Sequence, residues 1–84
     1  MLDQTRVDDR VLAMVREFAP ALPGDADRAR NVDLRSAGLT SVAAVKLMLA
    51  IEAAFDIAIP DADLTPENFG SVTAIEALVD RLRG

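Results

Sequence analysis

Apolar residues in this chain recur at helical spacing in three stretches. The first carries Val7, Val11, Met14, Val15 and Phe18 as one stripe and predicts a helix over residues 5–19. Thr5 can cap it, Asp8 and Asp9 suit its first turn, and Pro20 ends it by forcing the preceding residue out of helical geometry. The second stretch, residues 42–55, is the most apolar. At about 100° per residue, Ala44, Leu47, Ile51, Ala54 and Phe55 fall on one side, with Met48 at the margin. Val42, Lys46, Leu49 and Ala53 fall on the other, so a second apolar face is offered either to a partner or to the long loop. The third stretch places Val72, Ile75, Leu78, Val79 and Leu82 behind a capping Ser71, with Arg81 and Arg83 at the negative helix end. A short helix is predicted just before it, from Thr65-Pro66-Glu67 as cap, first-turn proline and first-turn acid to a stop at Gly70.

Between these stretches the chain reads as connections. Residues 20–40 hold Pro23, Gly24 and mixed charges, a long loop for a small domain, with Val32, Leu34 and Leu39 as anchors into the core. Ile57-Ala58-Ile59-Pro60 is too short for a useful strand and reads as a buried turn. Asp61-Ala62-Asp63-Leu64-Thr65 superficially suggests a calcium loop. The required glycine is replaced by Pro66 and the closing glutamate by Val72, so calcium is excluded. The expected fold is all-α: an antiparallel bundle of three main helices plus one short helix, in a single domain over residues 1–84.

Composition narrows the chemistry. With 51% hydrophobic residues among 84 the chain can bury a core, and with only three Phe as aromatics that core is aliphatic. There is no cysteine and no histidine, which removes disulfides, thiolate zinc sites and any Ser-His-Asp or Cys-His catalytic arrangement. No metal and no enzymatic activity are expected. A net charge of −5 argues against nucleic acid or an anionic membrane as partner. Residues 1–10 lack the apolar core of a signal peptide and no run is long enough to span a bilayer, so a cytoplasmic monomer is expected. Between Lys46 and Arg81 every charge is acidic: Glu52, Asp56, Asp61, Asp63, Glu67, Glu76 and Asp80. That half is either a solvated surface or a face for basic partners.

The candidate chemistry lies in Ala37-Gly38-Leu39-Thr40-Ser41-Val42, where a loop turns into the most apolar helix. A serine hydroxyl without a positioned base is a poor nucleophile, so Ser41 cannot activate itself. Another enzyme can still modify it, and a helix N-terminus suits a phosphodiester. In the alternative, Ser41 or Thr40 is simply an N-cap. Gly38 answers to a turn with positive φ, to close approach of a partner, or to both.

Asp33, Leu34, Gly38, Leu39 and Ser41, followed by Ile51-Glu52, Phe55 and Ile59-Pro60-Asp61, give the chain a pattern that resembles the acyl carrier protein family from about residue 32 to 82. The resemblance implies that Ser41 bears 4′-phosphopantetheine from coenzyme A, with Thr40 and Gly38 beside it. It further implies a carrier-protein transferase and acyl- or aminoacyl-loading and processing enzymes as partners, docking along Val42, Ala43, Lys46, Leu49, Glu52, Ala53 and Asp56. The chain departs from the family in having Thr40 where most members have Asp. It also has Ala43, Lys46 and Ala53 where fatty-acid-type carriers present acids. Dedicated partners are therefore expected in place of a general fatty-acid synthase. The expected function is an acyl carrier in lipid or secondary metabolism. The alternatives are an aminoacyl carrier loaded by a stand-alone amino acid ligase and a helical interaction module with no prosthetic group. Ala44, Ala50, Ala54, Ala58, Ala62 and Ala74 either let the helices pack closely or leave room between them, and the resemblance links such room to shelter of an acyl chain. Val45, Leu49, Ile59, Leu64 and Phe69 are the expected lining.

Overall fold

The computed structural model describes residues 2–83, with side chains from residue 9 onward. Its elements are α1 (Leu2–Phe18), α2 (Ala26–Asn31), α3 (Ser41–Phe55), a 3₁₀ turn (Asp61–Asp63) and α4 (Val72–Arg83). No strand occurs among the described residues.

Helix α1 buries Val11, Leu12 and Val15, and Ala19 closes it through a bond from its N–H to the Val15 carbonyl, one residue before Pro20. Thr5 is not its cap, because the helix already runs from Leu2; the side chains of Thr5, Val7 and Asp8 lie outside the described residues. Helix α4 buries Val72, Ile75, Leu78 and Val79, and the Ser71 hydroxyl accepts from Ala74 N–H at 3.1 Å as its cap. Leu47, Met48 and Ile51 are the buried residues of α3. Helix α1 packs against both α3 and α4, and their aliphatic faces form one core.

The short helix is not where the sequence pattern puts it. Residues 65–70 make a single hydrogen-bonded turn, with Phe69 N–H on the Thr65 carbonyl and Asn68 N–H on the Thr65 hydroxyl. The cap is present, but Gly70 arrives before a helix can propagate. A helix forms instead inside the predicted 20–40 loop. In α2, Asp25 caps the N-terminus, Ala29 is fully buried, and Arg30 pairs with Glu76 of α4 at 3.2 Å. Thr73 of α4 also donates its hydroxyl to the Arg30 carbonyl at 3.0 Å. Six residues cannot sustain a helix alone, so contact with α4 holds this one.

The anchors behave as the pattern predicts. Leu34 and Leu39 are buried and Val32 packs against the core. Leu34 N–H reaches the Gly70 carbonyl at 2.9 Å, tying the loop before α3 to the turn before α4. That turn is tight: a Cβ on Gly70 would stand 2.7 Å from the Pro66 carbonyl oxygen. Gly70→Ala should therefore destabilise the fold by about 1–3 kcal/mol, the usual cost of overpacking, read as a lower urea midpoint at unchanged slope.

Candidate functional site

The approach to Ser41 is a folded turn. Asp33 accepts from the Arg35 N–H and from the Ser36 hydroxyl, while Leu34 and Ala37 point into the core. Gly38 then adopts φ +100, and a Cβ there would lie 3.2 Å from the Pro20 ring. The positive-φ turn expected of Gly38 is present, with Pro20 packed against it.

Thr40 is the N-cap of α3, its hydroxyl accepting from Ala43 N–H at 3.1 Å and its carbonyl from Ala44 N–H at 2.8 Å. Capping thus falls to Thr40, and Ser41 becomes the first helical residue, exposed to solvent. The helix carries no acid in its first turn, so its positive end is not neutralised from within.

Ser41 also borders a partly open cleft of about 290 Å³. One wall is Leu39, Thr40, Ala44 and Val45; the other is Leu64, Thr65, Pro66 and Phe69. Val45, Leu64 and Phe69 were expected there. Leu49 and Ile59 were too, but they are placed elsewhere: Leu49 faces solvent a turn beyond Val45, and Ile59 is buried in the core. Of the alanines expected to leave room, only Ala44 lines the cleft. Thr65 and Pro66 were missed because their turn is brought to α3 by the fold.

The expected docking residues divide into two groups. Val42 (66% exposed), Leu49 (54%), Lys46 and Ala53 lie on the outer face of α3, with Val45 (41%) beside them. Ala43 does not, since it is half-buried and packs on the core. Glu52 is half-buried too, and its carboxylate accepts from Ile59 N–H at 2.7 Å. Asp56 is exposed and ends α3 in the left-handed region at φ 54, its N–H on the Glu52 carbonyl. The Arg10 guanidinium completes this end, bonding the Ala54 carbonyl at 3.0 Å and lying 4.6 Å from the Phe55 ring centre. Among the described residues no group of His, Cys, Asp or Glu could hold a metal ion, and no helix is long and apolar enough to cross a membrane.

Residues 9–82 match the family described as "Phosphopantetheine attachment site". The chain belongs to this family of carrier domains. The carrier is 40% identical over 75 residues to aminoacyl carrier protein 1 of Bradyrhizobium diazoefficiens, covering 89% of this chain and 83% of that one. Its fold matches a chain in the structure of an engineered Bradyrhizobium japonicum glycine:carrier protein ligase complexed with a carrier protein from Agrobacterium tumefaciens and ATP. There the TM-score is 0.74 and the identity 40%, over 90% of this chain and 99% of that one. A second match is to the structure of the B. japonicum ligase with glycylated carrier protein, at TM-score 0.63 and 37% identity, over 89% and 96% of the two chains.

The carrier's cofactor is covalent 4′-phosphopantetheine, and the carrier is not an enzyme. Its residues fit such a group: a solvent-facing hydroxyl at a helix N-terminus, without a carboxylate in the first turn, can hold a phosphodiester.

Glu52 serves the fold, so its charge should matter less than its oxygen. Glu52→Gln, which keeps an acceptor for Ile59 N–H, should cost little, whereas Glu52→Ala should lose about 1–3 kcal/mol in urea unfolding.

Proposed function

We propose that this carrier holds an amino acid as a thioester on a 4′-phosphopantetheine arm attached to Ser41, and that a stand-alone amino acid ligase loads it. The observation that carries the attachment site is the division of labour at the start of α3. Thr40 caps the helix, and the neighbouring hydroxyl stands exposed. A separate transferase supplies the base that this histidine-free chain lacks, and the arm supplies the thiol that a cysteine-free chain lacks.

The aminoacyl reading draws its support from the relatives' names and from the glycylated carrier in the matched complex. It is better supported than the fatty-acyl reading that the motif first suggests. An interaction module without a prosthetic group gives way to family membership. Partners dock on Val42, Lys46, Leu49 and Ala53, with Val45 added to that face and Asp56 at its far end. Ala43 and Glu52 drop out, because one packs on the core and the other holds the 57–60 loop. A face with one lysine and three sizeable apolar groups suits a partner with an apolar or acidic surface better than one lined with arginines. Once docked, the tether keeps the cargo at high effective concentration at the partner's site.

Incubation with coenzyme A and a promiscuous transferase should add one phosphopantetheine to the intact mass, and Ser41→Ala should abolish the gain. With a stand-alone glycine ligase, ATP and glycine, the loaded protein should gain a further glycyl mass that hydroxylamine removes. Wild type that gains no mass with several transferases ends the proposal. Thr40→Asp keeps a cap residue while restoring the carboxylate common in the family, so it should speed loading by a transferase that reads that charge. An unchanged rate removes that role from Thr40.

A further inference from the structure

Two arginines of α1 act towards opposite ends of α3. Arg10 holds the far end, through the Ala54 carbonyl and the Phe55 ring. Arg16 lies in the last turn of α1, about 9 Å further along the helix axis. Its guanidinium turns onto the loop that follows, where Nη1 donates to the Pro23 carbonyl at 2.7 Å and Nη2 to the Gly24 carbonyl at 3.1 Å. A planar fork on two successive carbonyls fixes direction as well as distance. The loop has few other means of holding that position. Leu22 packs against the core, but Pro20 and Pro23 bring no N–H, and a Cβ on Gly24 would meet no atom within 4 Å.

The loop that Arg16 clamps braces the turn before Ser41. Ala21 N–H donates to the Ala37 carbonyl at 2.9 Å, and the Pro20 ring closes on Gly38. Just beyond Gly38, Thr40 caps α3 and Ser41 begins it. Contact therefore runs unbroken from Arg16 through residues 20–24 to the turn at 37–38, and from there to the hydroxyl. The apolar groups proposed for docking, Val42, Val45 and Leu49, lie beyond this chain of contacts, on α3 itself.

We infer that Arg16 is a positioning residue for phosphopantetheine transfer to Ser41, fixing where the hydroxyl stands by clamping the 23–24 carbonyls and so bracing the 37–38 turn. This rests on Ser41 as the attachment site. In the transfer the Ser41 oxygen bonds to the phosphorus that bears the pantetheine arm. The pyrophosphate link of coenzyme A breaks, the adenosine bisphosphate half leaves, and the transferase takes the serine proton. Such a displacement depends on placement, and an error of about 1 Å can cost on the order of 100-fold in rate. Loss of the Arg16 clamp should slow the transfer itself and spare docking, because the outer face of α3 is untouched.

The test compares apo-forms of wild type, Arg16→Gln, Arg16→Lys and Arg10→Gln, well below the unfolding temperature of the weakest. Each is titrated against a promiscuous transferase and coenzyme A, and loading is followed by intact mass. Arg16→Gln should lower kcat on the order of ten-fold with KM for the carrier nearly unchanged. Arg16→Lys keeps a donor for one carbonyl and should recover part of the loss; if Arg16→Gln does not fold, Arg16→Lys should show the same kcat effect at smaller size. Arg10→Gln, which loosens the far end of α3, should load as wild type does. Hydrogen exchange gives a readout independent of loading: Ala21 N–H should exchange faster in the Arg16 variants and not in Arg10→Gln. Unchanged kcat in the Arg16 variants, a loss confined to KM, an equal loss in Arg10→Gln, or unchanged Ala21 exchange overturns the inference while the Ser41 reading stands. Absence of any mass gain on wild type overturns the Ser41 reading and the inference with it.

Discussion

The position of the first turn of α3 is the constraint on which the rest of the molecule depends. Buried Leu34 and Leu39 hold it from below, the Leu34 N–H to Gly70 carbonyl bond ties it to the start of α4, and Thr40 caps it from outside. A helix start is a set of unpaired N–H groups and a partial positive charge. Satisfying part of that set with Thr40, one residue early, leaves Ser41 ordered in backbone and free in side chain. Both conditions favour the proposed modification of Ser41 by another enzyme: an ordered backbone costs less to bind, and a side chain that does not cap the helix is not already engaged.

The same helix shows how one element serves both the core and the surface. Leu47, Met48 and Ile51 commit one side of α3 to the core shared with α1 and α4, while Val42, Val45 and Leu49 stay in solvent. Exposed aliphatic groups of this size on one helix face are costly to keep unless something covers them at intervals. The C-terminal end of α3 is held as firmly as its start, by Glu52 on Ile59 N–H, Asp56 in the left-handed region and Arg10 on the Ala54 carbonyl. The backbone beneath the outer face is thus anchored at both ends of the helix, so the proposed docking there would have little backbone left to order.

Long periodic stretches were legible without coordinates because each contains enough apolar residues to define a face. The stripe of α4, its Ser71 cap and the closure of α1 before Pro20 follow from spacing and local chemistry alone. The motif singles out Ser41 as the proposed attachment site, although spacing could not say which of two adjacent hydroxyls caps the helix. Helix α2 was not legible. Six residues with one buried alanine give no period, and it exists because Glu76 and Thr73, more than forty residues later, meet Arg30. Glu52 was misread for a related reason. A carboxylate in a helix pattern looks like surface charge until the following loop folds back and presents an N–H to it.

Sequence alone settled the all-helical class, the apolar excess of α3, the absence of any histidine or cysteine to activate Ser41, and the carrier pattern. These are properties of residue type and short spacing, which the chain carries before it folds. Tertiary structure decided which hydroxyl is engaged, which acid is structural, and that residues 64–69 come to lie across a cleft from α3. Each of those depends on groups distant in sequence meeting, and no local period records such a meeting.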